Sequence, residues 1–268
     1  MPKPETISSA ANPLLKDVRR AVVRGGLTSG GWCVAETFHL LEEALRSDCE
    51  VRVVLAAESV RSAAESHVRR LAGIRVVVLP DALLDRLSST ESSQGVIALV
   101  KPPAWKLEQL FRGRALVVVL DGLQDPGNAG AIARAAEAFG ATGMMFLKGS
   151  VSPWNPKTLR ASAGSLFRIP YLHALDAALA RAALQQNKVD LYAGVPARNG
   201  SAARPVTEVD LTARCGLIVG SEARGVSEGL RAAALDISIP TVGVESLNAA
   251  MAAGILLYEA RRQRALRT

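Results

Sequence analysis

The spacing of apolar positions cuts the chain into short alternating elements. In the first hundred residues, 38–46 carries its apolar side chains at helical intervals, 51–55 is a compact apolar run, and 63–71 returns to the helical period. Residues 74–79 and 95–100 read as further strands, the second of them following the polar run 88–94. This alternation predicts a small α/β domain over 1–100. Lys101-Pro102-Pro103-Ala104-Trp105 then breaks both periods, because proline neither donates to a ladder nor continues a helix. A linker is placed at 101–112. Beyond it, 115–120 is a strand, 128–139 a helix closed by Gly140, and 143–147 a second strand, which together make one βαβ unit. The pattern continues with a helix at 176–187, strands at 189–194 and 215–219, a helix at 227–234, a strand at 237–239 and a last helix at 247–266. Strands alternating with helices predict an α/β domain over 113–268, built on a parallel sheet covered on both faces.

In such sheets ligands bind at the carboxyl ends of the strands, so the loops that follow the strands carry the candidate chemistry. Three stand out. Asp121-Gly122-Leu123-Gln124-Asp125-Pro126-Gly127-Asn128 leads into a helix that carries Arg134, and Asn128 is the cap expected there. Gly220-Ser221-Glu222-Ala223-Arg224-Gly225-Val226-Ser227 follows the strand ending at Val219; Gly220 offers close backbone approach to a ligand, and Glu222 with Arg224 also reads as a surface ion pair. Pro240 to Asn248 precedes the last helix; Ser246 is a good cap candidate and Asn248 another, and both also read as polar groups projecting into a cleft formed by the three loops.

Composition narrows the chemistry by exclusion. The three histidines, His39, His67 and His173, fall outside these loops, and the chain has no G-x-S-x-G elbow, no Walker A sequence and no G-x-G-x-x-G fingerprint. Hydrolase, NTPase and nicotinamide readings lose support. Cys33, Cys49 and Cys215 are odd in number and widely spaced, which argues against a disulfide framework or a zinc site and suits a reducing cytoplasm. No signal peptide and no apolar run of membrane-spanning length is read. The net charge of +7 points to a polyanionic partner, and most of the excess lies after residue 105. The first 24 residues add a basic arm of Lys3, Lys16, Arg19, Arg20 and Arg24 against Glu5 and Asp17, a candidate for contact with an RNA backbone.

Three segments taken in order, Asp121 to Arg134 (D-x-x-x-D-P-G-N-A-G-A-I-A-R), the G-S-E-A-R-G-V-S run from Gly220, and I-x-I-P…G-V-E-S-L-N-A-A from Ile237, resemble the three signature motifs of the SpoU/TrmH family of RNA ribose 2′-O-methyltransferases. Ser162 to Pro170 (S-A-G-S-L-F-R-I-P) is similar to the family as well, and the segments around Asn12-Pro13 and Glu42-Glu43 resemble the substrate-binding domain that many members carry in front. Members often have Glu-Gly followed by a basic residue where this chain has Glu36-Thr37-Phe38-His39. The resemblance implies a catalytic domain with a deep trefoil knot, a homodimer formed through the knot region, and S-adenosylmethionine as cofactor without a metal. It implies cofactor contacts at Val219, Gly220, Ile239 and Leu247, and functional positions at Asn128, Arg134, Glu222, Ser246 and Asn248. The two-domain layout tilts the implied substrate toward ribosomal rather than transfer RNA, with a catalytically silent RNA-binding protein as the other outcome.

Overall fold

The computed structural model describes residues 5–69, 71, 73–90, 92–197, 202–244 and 246–266. Lys3 of the basic arm, Glu245 of the third loop, and residues 70 and 91 within predicted segments lie outside them. In chain order the elements are β1 (Glu5–Thr6), α1 (Pro13–Arg24), β2 (Cys33–Glu36), α2 (Phe38–Arg46), β3 (Val51–Ala57), α3 (Arg61–Val68), β4 (Arg75–Leu79), α4 (Asp81–Asp85) and β5 (Val96–Val100). They continue as α5 (Leu107–Leu110), β6 (Leu116–Asp121), α6 (Pro126–Ala138), β7 (Gly143–Leu147), α7 (Pro156–Ser162), β8 (Tyr171–Leu175), α8 (Ala177–Gln186) and β9 (Asp190–Gly194). β10 (Arg204–Pro205), β11 (Cys215–Gly220), α9 (Glu228–Arg231), β12 (Leu235–Ser238) and α10 (Ala249–Ala265) complete the chain. Two compact units result, Met1–Ala104 with Trp154–Arg168, and Trp105–Pro153 with Ile169–Thr268.

The first unit is a five-stranded mixed sheet in the order β1-β4-β3-β5-β2. The basic arm is largely the helix α1. Asn12 caps it by accepting from the Leu14 N–H, Pro13 occupies its first turn, and Gly25 ends it at a φ of 61°, a conformation that favours glycine. Leu15, Val18 and Ala21 bury one face of α1 in a core with Leu55, Val77, Leu79 and Ile97, which leaves Lys16, Arg19, Arg20 and Arg24 exposed on the other. β2 is buried along its length and ends in Glu36, only 3% exposed. Its carboxylate accepts from the Ser89 N–H and hydroxyl, both at 2.8 Å, and pairs with Arg160 from the returning segment. Arg168, at the end of that segment, pairs in the same way with Glu43 of α2.

The second unit carries seven strands in the order β10-β12-β9-β11-β6-β7-β8, and every pairing is parallel. Val117, Val119, Met145, Leu191 and Ile218 fill a fully apolar layer against α8, as the near-continuous apolar strands require. The chain runs outward from β6 through β7 to β8, then returns to the far side of β11. The order therefore reverses beside β6 and β11, the switch point at which open parallel sheets leave a crevice at their carboxyl ends.

Candidate active site

Register fixes where the loops emerge. Asp121 at the end of β6 pairs with Gly220 at the end of β11, so the first two motif loops leave the sheet side by side. Helix α10 packs against α6 and β11, and this brings its first residue to the same place. Asn128 Nδ2 donates to Glu222 Oε1 at 2.7 Å, and Asn248 Nδ2 donates to Asn128 Oδ1 at 3.0 Å. One amide thus bridges the three loops. Because Asn128 uses its donor on Glu222 and its acceptor on Asn248, its orientation is determined at both ends.

The cap of α6 differs from the sequence expectation. Asp125 caps α6, accepting from the Asn128 N–H at 2.6 Å, with Pro126 at the first helical position. A proline there loses no needed donor, so the helix begins two residues earlier than the apolar period suggests and frees the Asn128 side chain to bridge. At the other helix Asn248, one of the two caps the sequence offers there, is the one used; its Oδ1 accepts from Ala250 and Met251 at 2.9 and 3.3 Å. Asn248 serves both roles with different atoms. Glu222 bonds to Asn128 rather than to Arg224.

The second loop folds back on itself. Ser221 and Gly225 exchange two backbone hydrogen bonds at 3.2 and 2.8 Å, Ser221 Oγ accepts from the Arg224 N–H, and Asp121 Oδ2 accepts from the Ser227 N–H at 2.7 Å. Any side chain at Gly220 would overlap the backbone of Gly225 and Val226. Glycine at 220 is therefore needed for closure of the loop on itself. Asp121 and Asp125 are the residues that sequence reasoning quoted without a role; the Asp-Pro pair at 125–126 is itself a capping signal.

Val219 is buried, Ile239 and Leu247 are half-buried, and the Gly225 and Gly243 backbones, at φ of 69° and 79°, have open space where side chains would stand. Apolar walls with bare backbone around them fit a nucleoside-bearing cofactor held by main-chain groups. Arg134, six residues beyond Asn128 on α6, is exposed and makes no hydrogen bond or ion pair with described residues. Ser246 is exposed in the third loop, also without a partner there. Among the described residues no group of three His, Cys, Asp or Glu side chains is placed to hold a metal. Arg19, Arg20 and Arg24 line an open groove of about 550 Å³ with Lys16 and Val23, in the first unit.

An all-parallel sheet with three polar loops joined at its switch point defines a nucleotide-cofactor enzyme of the α/β class. The SpoU rRNA Methylase family model matches residues 115–258, and the MRM3-like substrate binding domain model matches 12–98. The chain is 32% identical over 257 residues to the 23S rRNA (guanosine-2′-O)-methyltransferase RlmP of Bacillus subtilis, covering 95% of this chain and 98% of that one. Among solved structures it is similar to the SpoU methyltransferase AviRb from Streptomyces viridochromogenes, with TM-score 0.82, 27% identity and coverage of 96% and 99%. It is also similar to the AdoMet-bound rRNA methyltransferase from Sinorhizobium meliloti, with TM-score 0.82, 25% identity and coverage of 96% and 97%. The chain belongs to the SpoU family, as an RNA ribose 2′-O-methyltransferase that uses S-adenosylmethionine.

Proposed function

We propose that the substrate is ribosomal RNA and that the chemistry centres on the Glu222–Asn128–Asn248 chain with Arg134 on the same helix. The single observation that carries the catalytic reading is the bridging amide of Asn128, which holds three separate loops in one arrangement on the helix that also bears the exposed Arg134; likeness to 23S rRNA methyltransferases supports the ribosomal substrate. Val219, Gly220, Ile239 and Leu247 are the residues that would hold the cofactor. Bound S-adenosylmethionine supplies a methyl group on a positively charged sulfur. The chain's own work is placement. Arg134 binds the phosphate beside the target ribose and orients the 2′-hydroxyl. Its guanidinium stays protonated, so the hydroxyl proton leaves to phosphate or water rather than to the arginine. Ser246 adds a hydroxyl at the edge of the ribose site, and Glu222 holds the Asn128 amide in its productive orientation. Positioning of this kind supplies a large share of an enzymatic rate.

The domain over 1–100, which makes up most of the first unit, is the RNA-holding part, with Arg19, Arg20 and Arg24 on α1 as backbone contacts. In the second unit we infer a trefoil knot formed by the segment entering α10, in keeping with the family. We also infer a homodimer through that region, because Met251, Ile255 and Tyr258 stand exposed at 59%, 37% and 56% along one stripe of α10. The three cysteines are free, no described helix is long and apolar enough to cross a membrane, and we place the protein in the cytoplasm.

Labelled S-adenosylmethionine offered with ribosomal and transfer RNA tests the assignment. Label is expected in ribosomal RNA within an alkali-resistant dinucleotide, falling about 100-fold or more in Arg134→Ala. Unchanged turnover in that variant removes the role of Arg134, and label in transfer RNA alone removes the ribosomal substrate. Sedimentation of the same preparation at monomer mass removes the dimer.

A further inference from the structure

The first unit holds a second cationic feature that the α1 surface does not include. Trp32 stands just before β2, Lys101 just after β5 and Arg52 at the start of β3. Cys33 and Val51 both pair with Val100, so the register gathers the three at one end of the sheet. The Arg52 guanidinium carbon lies 5.5 Å from the Trp32 ring centroid and Lys101 Nζ lies 5.3 Å from it. Both cations are exposed, and among the described residues neither side chain has a carboxylate partner or a hydrogen bond. The Trp32 indole N–H makes no hydrogen bond to a described residue either.

The ring is held in place. Thr28 and Trp32 exchange two hydrogen bonds, from the Thr28 N–H to the Trp32 carbonyl at 2.9 Å and from the Trp32 N–H to Thr28 Oγ1 at 3.1 Å. The turn between them is tied to α1 through Ser29, whose N–H and hydroxyl both donate to Asp17. A side chain at Gly30 would press on the indole edge at 2.9 Å, so the bare backbone of Gly30 is what lets the ring lie where it does. A fixed aromatic ring loses little freedom when something stacks on it.

One cation would satisfy the ring's quadrupole. Two like charges gathered on one ring without an acid repel each other, and an anion between them relieves that repulsion. We propose that Trp32, Arg52 and Lys101 bind one unpaired nucleotide of the RNA, with its base stacked on the indole and its phosphate between the two cations. Aromatic stacking combined with backbone cations is how single-stranded RNA is gripped without base-specific contacts. The inference rests on the reading of RNA as substrate, and it adds a contact for a looped-out strand to the α1 surface.

Binding of a short, fluorescently labelled single-stranded oligouridylate to the full chain, followed by the label's anisotropy and titrated across salt concentrations, tests it. Trp32→Ala should weaken binding about 5- to 100-fold, while Trp32→Phe, which keeps a stacking face, should retain most of the affinity. The double variant Arg52→Gln/Lys101→Gln, which leaves the ring and the fold in place, should lower the salt slope of log K by about 0.7, the share of one phosphate on a single strand. Wild-type affinity and slope in that double variant overturn the proposal, as does a duplex of equal length or polyglutamate binding at Trp32 as tightly as the oligouridylate does. Loss of all Arg134-dependent methyl transfer to RNA would sink the substrate reading itself. If that transfer persists while the patch variants bind like wild type, only the nucleotide site falls.

Discussion

At Gly220 a single missing methyl decides whether a loop can close. The Cβ position is occupied by the main chain of Gly225 and Val226, and the Ser221–Gly225 hydrogen bonds depend on that approach. Gly220→Ala should open the loop at a cost of about 1–3 kcal/mol, typical of overpacking. Affinity for S-adenosylmethionine, read by calorimetry, is expected to fall about tenfold or more, with a far smaller change in melting temperature. Unaltered cofactor affinity would show that closure of this loop is not needed for the pocket. The residue scale is also where the sequence was most legible for chemistry. Asn128, Glu222 and Asn248 meet as one hydrogen-bonded chain, and each was marked as polar and loop-borne by its place after a strand. Their division of labour was not legible. That Asp125 caps α6 and leaves Asn128 free follows from which atom reaches which N–H, and three capping-type residues within four positions give a pattern no means to choose.

Among the elements, α10 is the one whose attachment carries most consequence. Arg264 near its end is 9% exposed and donates to the carbonyls of Leu211, Arg114, Ala115 and Ala213 at 2.9, 3.0, 3.0 and 2.6 Å, and to Cys215 Sγ at 3.3 Å. Burial draws its pKa below the ordinary arginine value and pushes the Cys215 thiol up to about 11, against the pull of the guanidinium. Gln263 adds a bond from its side chain to Val209 and accepts from the Leu211 N–H. The approach to β11 is therefore fastened to α10 by the side chains of Gln263 and Arg264, and Glu259 accepts from the same Gln263 amide at 2.8 Å. Arg264→Leu takes the donor from the buried Leu211 carbonyl, while Ala115 keeps the Cys215 N–H and the Arg114 and Ala213 carbonyls lie on exposed residues, so it should cost about 1–3 kcal/mol, read as a lowered urea midpoint. A loss under about 1 kcal/mol would mean that water replaces the guanidinium. Apolar period found most of the longer elements but missed β1, α1, β2, α4, α5, α7, β8 and β10. β2 ends in a buried glutamate, β8 is an edge strand with half its positions exposed, and α7 is a seven-residue helix, so none presents a clean alternation.

Across the whole molecule, chain order and packing diverge. Trp154–Arg168 belongs by position to the catalytic half yet folds with the first unit, where Arg160 satisfies Glu36 and Arg168 satisfies Glu43. Sequence period cannot show this, because both pairs join residues more than a hundred positions apart. Burial raises the Glu43 carboxyl pKa, and the bonds from Arg168 and Arg46 outweigh it, so the net value lies below 4.5. A depressed folded pKa means that the unfolded chain binds the proton more readily. The stabilisation is complete above the unfolded value and is lost as pH falls through the folded one. Glu43→Gln should therefore cost about 2 kcal/mol at pH 7, as for a hydrogen bond to a charged group, and its denaturation midpoint should converge on wild type as pH drops below 4.5. A gap that stays constant down to the lowest accessible pH would refute the linkage.

The order in which the chain is made gives Asn248 a further meaning. Glu222 and Asn128 are already translated when it is added, yet their arrangement is complete only through its amide, and the Arg264 guanidinium that fastens its helix comes later still. The bridge between the three loops therefore cannot close until α10 has been reached. A ribosome still synthesising this enzyme carries every strand of its sheet before it carries a working site.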